Sequence, residues 1–293
     1  MRYVLENDTL RVEIDSFGAE LKSVKRKSDD KEYMWYADKK YWGRTSPVLF
    51  PFVGNCRNKE YRYGGKTYAI GQHGFARDME HTMESQTEDI IWFSLHSNEE
   101  TMEKYPFAFV LKIGYNLTGN ELKVMWKVEN PDTKTLYFSI GAHPAFLCPF
   151  NGEENKLGYG LQFAGLKEVH HHGNTPDTGL AVMSEDIVIP LEDEKVYFTP
   201  GFFDRCTYMV EGKQTGEVSL VTPDGKPYVT MDFDAPLFAI WSPEGKDAPF
   251  VCIEPWYGRC DADDFEGTLE ERAYENAVEP EQTFEASYSI HYL

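Results

Sequence analysis

Paired cysteines, long apolar runs and an excess of positive charge are all missing from this sequence. The five cysteines (Cys56, Cys148, Cys206, Cys252, Cys260) are an odd number and include no Cys-x-x-Cys pair. That spacing argues against a disulfide framework and a zinc knuckle, and predicts reduced thiols. No run approaches the length that spans a bilayer, and the opening MRYVLENDTLRVEI lacks the unbroken apolar stretch of a signal peptide, so a cytoplasmic protein is expected. Lysine and arginine number 29 against 49 acidic residues, a formal charge of -20, which repels phosphate backbones and anionic lipid. Nucleic acid and membrane are therefore not expected as partners, and the acidity reads as ordinary solubility.

Chemical signatures are also missing. There is no G-x-x-x-x-G-K-[ST] phosphate loop, no dinucleotide fingerprint and no G-x-S-x-G elbow. The run His170-His171-His172 invites a metal reading, but Gly173-Asn174-Thr175-Pro176 follows where a cupin-like site needs a carboxylate, so an exposed loop is expected. Asp261 to Glu266 lacks the spacing of a calcium loop and is expected to be solvated. Neither metal nor cofactor is called for, and acid/base chemistry by side chains remains.

Sustained helical periodicity is scarce as well, with short candidates only near Glu99 to Lys104 and Glu270 to Asn276, which disfavours a βαβ architecture. Period-2 alternation is abundant. It runs through Leu10, Val12 and Ile14, through Leu122, Val124, Trp126 and Val128, and through Val229, Met231 and Phe233. Phe107 to Tyr115 and the closing stretch Phe284 to Tyr292 alternate too, the latter tying the C-terminus into a sheet. Turn signals at Gly64-Gly65, Gly119-Asn120 and Asp224-Gly225 lie between such runs and predict hairpins. With no repeat, linker or compositional break, the chain reads as one all-β domain over residues 1–293, a sandwich.

Three segments place ionisable side chains among residues otherwise fit for burial: Gly71 to Asp78, Ser139 to Phe146 and Phe250 to Trp256. Glu254 follows the apolar run Phe250 to Ile253 and precedes Pro255-Trp256, where desolvation beside an indole would raise its basicity. The alternative is a buried glutamate bonded to backbone amides or paired with Arg259. His143 lies between Gly141-Ala142 and Pro144, too irregular for a strand interior. It could exchange a proton near neutral pH or simply bond a carbonyl. His73 is flanked by glycines that permit close backbone approach, and Arg77 could read hydroxyls or phosphate; a tight turn with Arg77 paired to Asp78 is the other reading.

Taken together these segments resemble the aldose 1-epimerase family, in the branch that includes hexose-6-phosphate mutarotases and uncharacterised sugar-operon epimerases. The resemblance extends over nearly the whole chain, through Leu10 to Ile14, Gly18 to Leu21, Pro47 to Pro51 with Gly54, His73 to Arg77, Tyr105-Pro106-Phe107, Gly141 to Phe146, Ile240-Trp241-Ser242 and Glu254-Pro255-Trp256. It implies a large twisted antiparallel β-sandwich with an open monosaccharide cleft. It further implies that Glu254 takes the anomeric proton as general base while His143 protonates the ring oxygen as general acid. His73, Arg77 and Asp204 become candidate sugar contacts, and Arg44 with Arg77 candidate phosphate contacts. The motif His73-Gly-Phe-Ala-Arg77 and the Pro-Ala-Phe after His143 depart from better-studied sugar mutarotases and leave the sugar, and its phosphorylation, open. A non-catalytic sugar binder on the same scaffold is the rival reading, and a homodimer is allowed.

Overall fold

The computed structural model describes residues 1–293, and nearly every element in it is an antiparallel strand. A nine-stranded sheet and an eight-stranded sheet face each other across the main apolar cluster. Trp126 of the first meets Tyr257 of the second at 6.3 Å, and Phe163 meets Phe238 at 6.2 Å. A smaller four-stranded sheet is built from residues between Arg2 and Glu32.

The alternating runs become half-buried strands. In Glu121–Glu129 the side chains of Leu122, Val124, Trp126 and Val128 are buried while Lys123 and Lys127 face outward. This strand lies between Val110–Thr118 and the C-terminal strand Thr283–Tyr292. The C-terminal strand pairs Val124 with Tyr288 on one side and Met231 with Ile290 on the other. Residues distant in sequence thus share one apolar face, the condition for burying a sheet on one side only.

The strand Phe250–Tyr257 is different, buried along almost its whole length. Its odd members Val251 and Ile253 enter the main core, while Cys252, Glu254 and Trp256 face the opposite side. One neighbour, Leu237–Trp241, pairs with it continuously from Leu237↔Trp256 to Trp241↔Cys252. The other neighbour is broken: Ile140–Ala142 pairs at Tyr257 and Trp256, and Ala145–Leu147 resumes at Cys252. The break is His143-Pro144, which the register of the flanking pairs sets opposite Ile253-Glu254. Pro144 inside it and Pro255 at its edge each remove a ladder donor. Gly141 is needed at its edge, because a Cβ there would come within 2.6 Å of the Trp256 ring.

Two expectations need correction. His170-His171-His172 is not a loop but part of the strand Glu168–Asn174, paired with Ala181–Pro190. His171 serves as a core member, edge-on to Tyr208 at 4.5 Å, and Val169, His171 and Gly173 supply the inward alternation that the triple histidine disguises. His170 turns outward to Asp186 and Glu168. The expected helix over Glu270 to Asn276 is only a 3-10 turn at Leu269–Glu271, while Glu99–Lys104 is helical, capped by Asn98. Arg272 is drawn inward and ends the turn, and Asn276–Val278 pairs with Leu136–Phe138. No helix is long and apolar enough to cross a membrane.

Candidate active site

A cleft of about 450 Å³ opens over the gap in the eight-stranded sheet. Glu254 forms its floor at 1% exposure, and His143 approaches from the broken neighbouring strand, with Nδ1 3.4 Å from a Glu254 carboxylate oxygen. Trp42 stacks on the His143 ring at 4.6 Å, and Trp241 stands edge-on at 5.2 Å. The imidazole is thereby held in one plane without a hydrogen bond to Nδ1. Both Glu254 oxygens and the Trp256 indole N–H are also buried without a well-formed hydrogen bond, the indole lying near enough to Glu254 to favour its ionised form. Such orphaned groups each cost free energy, on the order of 1–3 kcal/mol, and concentrate where a ligand is meant to satisfy them.

His73 sits in a left-handed turn (φ 63°) held on two sides by one residue, donating its backbone N–H to the Gly54 carbonyl and accepting the Gly54 N–H at Nδ1, 3.0 Å. Accepting at Nδ1 fixes the tautomer, so Nε2 carries the proton. Gly74 beside it must lack a side chain, since a Cβ would lie 2.3 Å from the Phe50 carbonyl oxygen. His73 and His143 meet ring to ring at 5.7 Å.

Arg77 and Arg44 line the same cleft, and their charges act on both histidines. Arg44 pairs with Asp78 at 2.9 Å; Arg77 donates one guanidinium nitrogen to the Gln72 carbonyl, and its Nε, which makes no hydrogen bond, lies 3.7 Å from the same Asp78 carboxylate, the pairing that the sequence allowed. Burial and then the charge of Arg77 push His143 down to about 3. The same causes hold His73 well below its ordinary value. Burial drives Glu254 well above the carboxylate range, and it lowers Arg77 to about 10 with help from Arg44.

The structure therefore brings Glu254, His143, His73, Arg77 and Arg44 into one cleft, and Arg259 is not a partner of Glu254, being paired with Glu211 at 2.8 Å. Asp204 is not part of it. Its carboxylate accepts the Gly245 N–H and lines a separate hollow with Lys156 and Phe202, the loop around Gly245 intervening. Cleft residues that the sequence did not single out include Trp42, Asn55, Gln72, Asn174, Thr207 and Glu244. Gln72 adjoins His73 and Trp42 lies two residues before Arg44, so proximity to the motifs was a usable signal; Asn174 and Thr207 carry none.

Behind the cleft lies a second buried ionic cluster. Arg272 bonds Asp261 at 2.7 Å, Glu275 at 2.9 Å, the Arg259 carbonyl and Ser139 Oγ. Asp261 is thus buried at the head of the acidic run expected to be solvated. Ser139 Oγ accepts the Val53 N–H, and Asp261 accepts the Arg57 N–H while donating its own to Asn55. These bonds bracket Gly54, the residue that holds His73.

The family model described as aldose 1-epimerase matches residues 1–261. The chain is 31% identical over 297 residues to the chromosomal protein LacX of Lactococcus lactis subsp. lactis, with 99% of each covered. The X-ray structure of a galactose mutarotase related enzyme from Lactobacillus acidophilus superimposes with a TM-score of 0.94 at 37% identity, covering 100% of this chain and 97% of that one. A galactose mutarotase-like protein from Lactobacillus casei gives 0.91 at 29% identity, with 99% of each chain covered.

Proposed function

The chain belongs to the aldose 1-epimerase family, and we propose that it interconverts the α and β anomers of an aldose by opening and reclosing the hemiacetal ring. The observation that carries this reading is the bare pair itself: Glu254 and His143, 3.4 Å apart on the floor of one cleft, with acceptor and donor positions unspent. Ring opening requires a base and an acid acting on two oxygens of a single carbon, so two groups this close are suitably disposed.

Ionised Glu254 takes the proton of the anomeric hydroxyl while protonated His143 gives one to the ring oxygen, and the C1–O5 bond breaks to an aldehyde. Rotation about C1–C2 and the reverse transfers close the other anomer and restore both groups. Burial in the empty cleft favours protonated Glu254 and neutral His143, so the reactive pair forms when the Glu254 proton passes to His143 Nδ1, 3.4 Å away, and opening of the ring returns both groups to their resting forms. His73 Nε2–H and Arg77 are hydrogen-bond donors to ring oxygens in this reading.

The position of the cations bears on the substrate. His143 meets the ring oxygen, whose other neighbour is C5, the carbon that bears C6. The charges of Arg77 and Arg44 act on His143 and not on Glu254, so a C6 phosphate would fall to them, with Arg77 farther from Asp78 and the less neutralised of the two. The single-domain reading is supported by the main cluster, which runs from Leu5 to Tyr292.

Freshly dissolved α-glucose, α-galactose and their 6-phosphates, followed by polarimetry or NMR, test the proposal. Catalytic amounts of protein should hasten equilibration of at least one, and no acceleration across the panel overturns it. A sugar binder without catalysis would keep its affinity for the same sugars.

A further inference from the structure

Cys252 is buried two residues before Glu254 on the same face of the strand and does not line the cleft. Its thiol sulfur, a ring nitrogen of His143 and a carboxylate oxygen of Glu254 lie within 4.8 Å of one another. The nitrogen and oxygen are 3.4 Å apart, the separation of two ligands about 2.1 Å from a tetrahedral ion. His143 Nδ1 and both oxygens of Glu254 have no competing partner. We propose that Cys252, His143 and Glu254 form a three-ligand site for a thiophilic d10 divalent cation, of the zinc or cadmium class, that excludes catalysis when filled.

Sulfur, imidazole and carboxylate make a mixed set that favours zinc-like ions over magnesium or calcium, and three protein ligands leave a fourth position facing the cleft. Binding displaces the thiol proton, so affinity rises with pH. It also ties up the acid and the base together. The cation is on this account an inhibitor whose removal leaves the enzyme active, and the inhibitory part of the inference rests on the acid/base reading above, whereas the binding part does not.

Chelator-treated full-length protein titrated with cadmium chloride is the test. One equivalent should bind with the ultraviolet charge-transfer absorption of a cadmium–thiolate bond and release of at least about one proton. C252S should lose the absorption and weaken binding at least about tenfold, because the soft ligand is gone. C260S should retain both, which separates this site from the Cys260 thiol beside Met209 in the cleft wall. Absence of stoichiometric binding, or an absorption that survives C252S and vanishes in C260S, overturns the site. Mutarotation that continues at saturating cadmium overturns its inhibitory role. If cadmium binds as described and no sugar is turned over with or without it, the catalytic proposal fails and the cation site stands.

Discussion

Two buried ionic clusters, joined through the segment around Gly54, are bonded in opposite ways in this molecule. Arg272 is 5% exposed and saturated, its guanidinium spread over Asp261, Glu275, a hydroxyl and a carbonyl. Glu254 is 1% exposed with neither oxygen bonded. Burial pushes Glu275 up to about 8 against the pull of Arg272. The difference separates frame from site: a satisfied cluster locks the backbone around it, while an unsatisfied one stores polarity for a ligand. Arg272 and Glu275 lie beyond residue 261, where the family match ends, yet they fasten the segment that orients His73.

That contrast is most sharply broken at Arg272. R272M strands Asp261 in the interior and should destabilise the protein by about 3–5 kcal/mol, read from urea denaturation. A shift under 1 kcal/mol would show the cluster to be incidental. R272K, which keeps the charge but not the fork, should fold and lower kcat/KM through His73 with a smaller loss of stability.

At Glu254 the ordering inverts. E254Q should cut mutarotase kcat by about a hundredfold or more, close to 3 kcal/mol in barrier, and leave sugar affinity and the urea midpoint largely unchanged. If E254Q unfolded as readily as R272M, the distinction between the two clusters would collapse.

The acid limb of the stability profile comes from histidines buried in neutral form. Burial lowers His143 to about 3, His81 to about 4, and His73 and His171 below their usual value. Below about pH 6.5 the unfolded chain takes up protons that the folded one refuses, so stability falls as pH drops, by up to about 1.4 kcal/mol per pH unit for each such group. Buried Glu254 and Glu275, held above the carboxylate range, act with the opposite sign over the same interval, so the histidine contribution is read by difference: the slope of thermal melts between pH 7 and pH 5 should change in H81N by the share that His81 supplies. An unchanged slope in H81N would mean that His81 is protonated in the folded protein.

The smallest effect is expected at Asp204, outside the cleft. D204A removes one bond to the Gly245 N–H and should leave kcat/KM within about twofold, with a stability change near 1 kcal/mol. A tenfold fall in kcat/KM would return Asp204 to the site.

Much of the sheet was legible because alternation reports which face is buried, and Glu121–Glu129, Leu10–Asp15 and Thr283–Tyr292 each carry it plainly. Where an imidazole took the place of an apolar residue, as at His171, the same logic was hidden. Glu254, His143, His73 and Arg77 were visible as ionisable groups set in apolar or glycine-rich surroundings. Asp204 had no such setting, and its assignment rested on resemblance alone.

The sequence by itself determined the strands, the hairpin turns, the absence of covalent staples and the identity of the acid/base candidates, because these depend on local periodicity, local backbone freedom and side-chain chemistry. Only the tertiary structure decided that His143 falls at a break opposite Glu254, that Gly54 sets the His73 tautomer, and that Arg272 and Asp261 pin the wall behind it. Each of those depends on register between strands or loops far apart in the chain, and register is settled by the packing of whole faces rather than by any single segment.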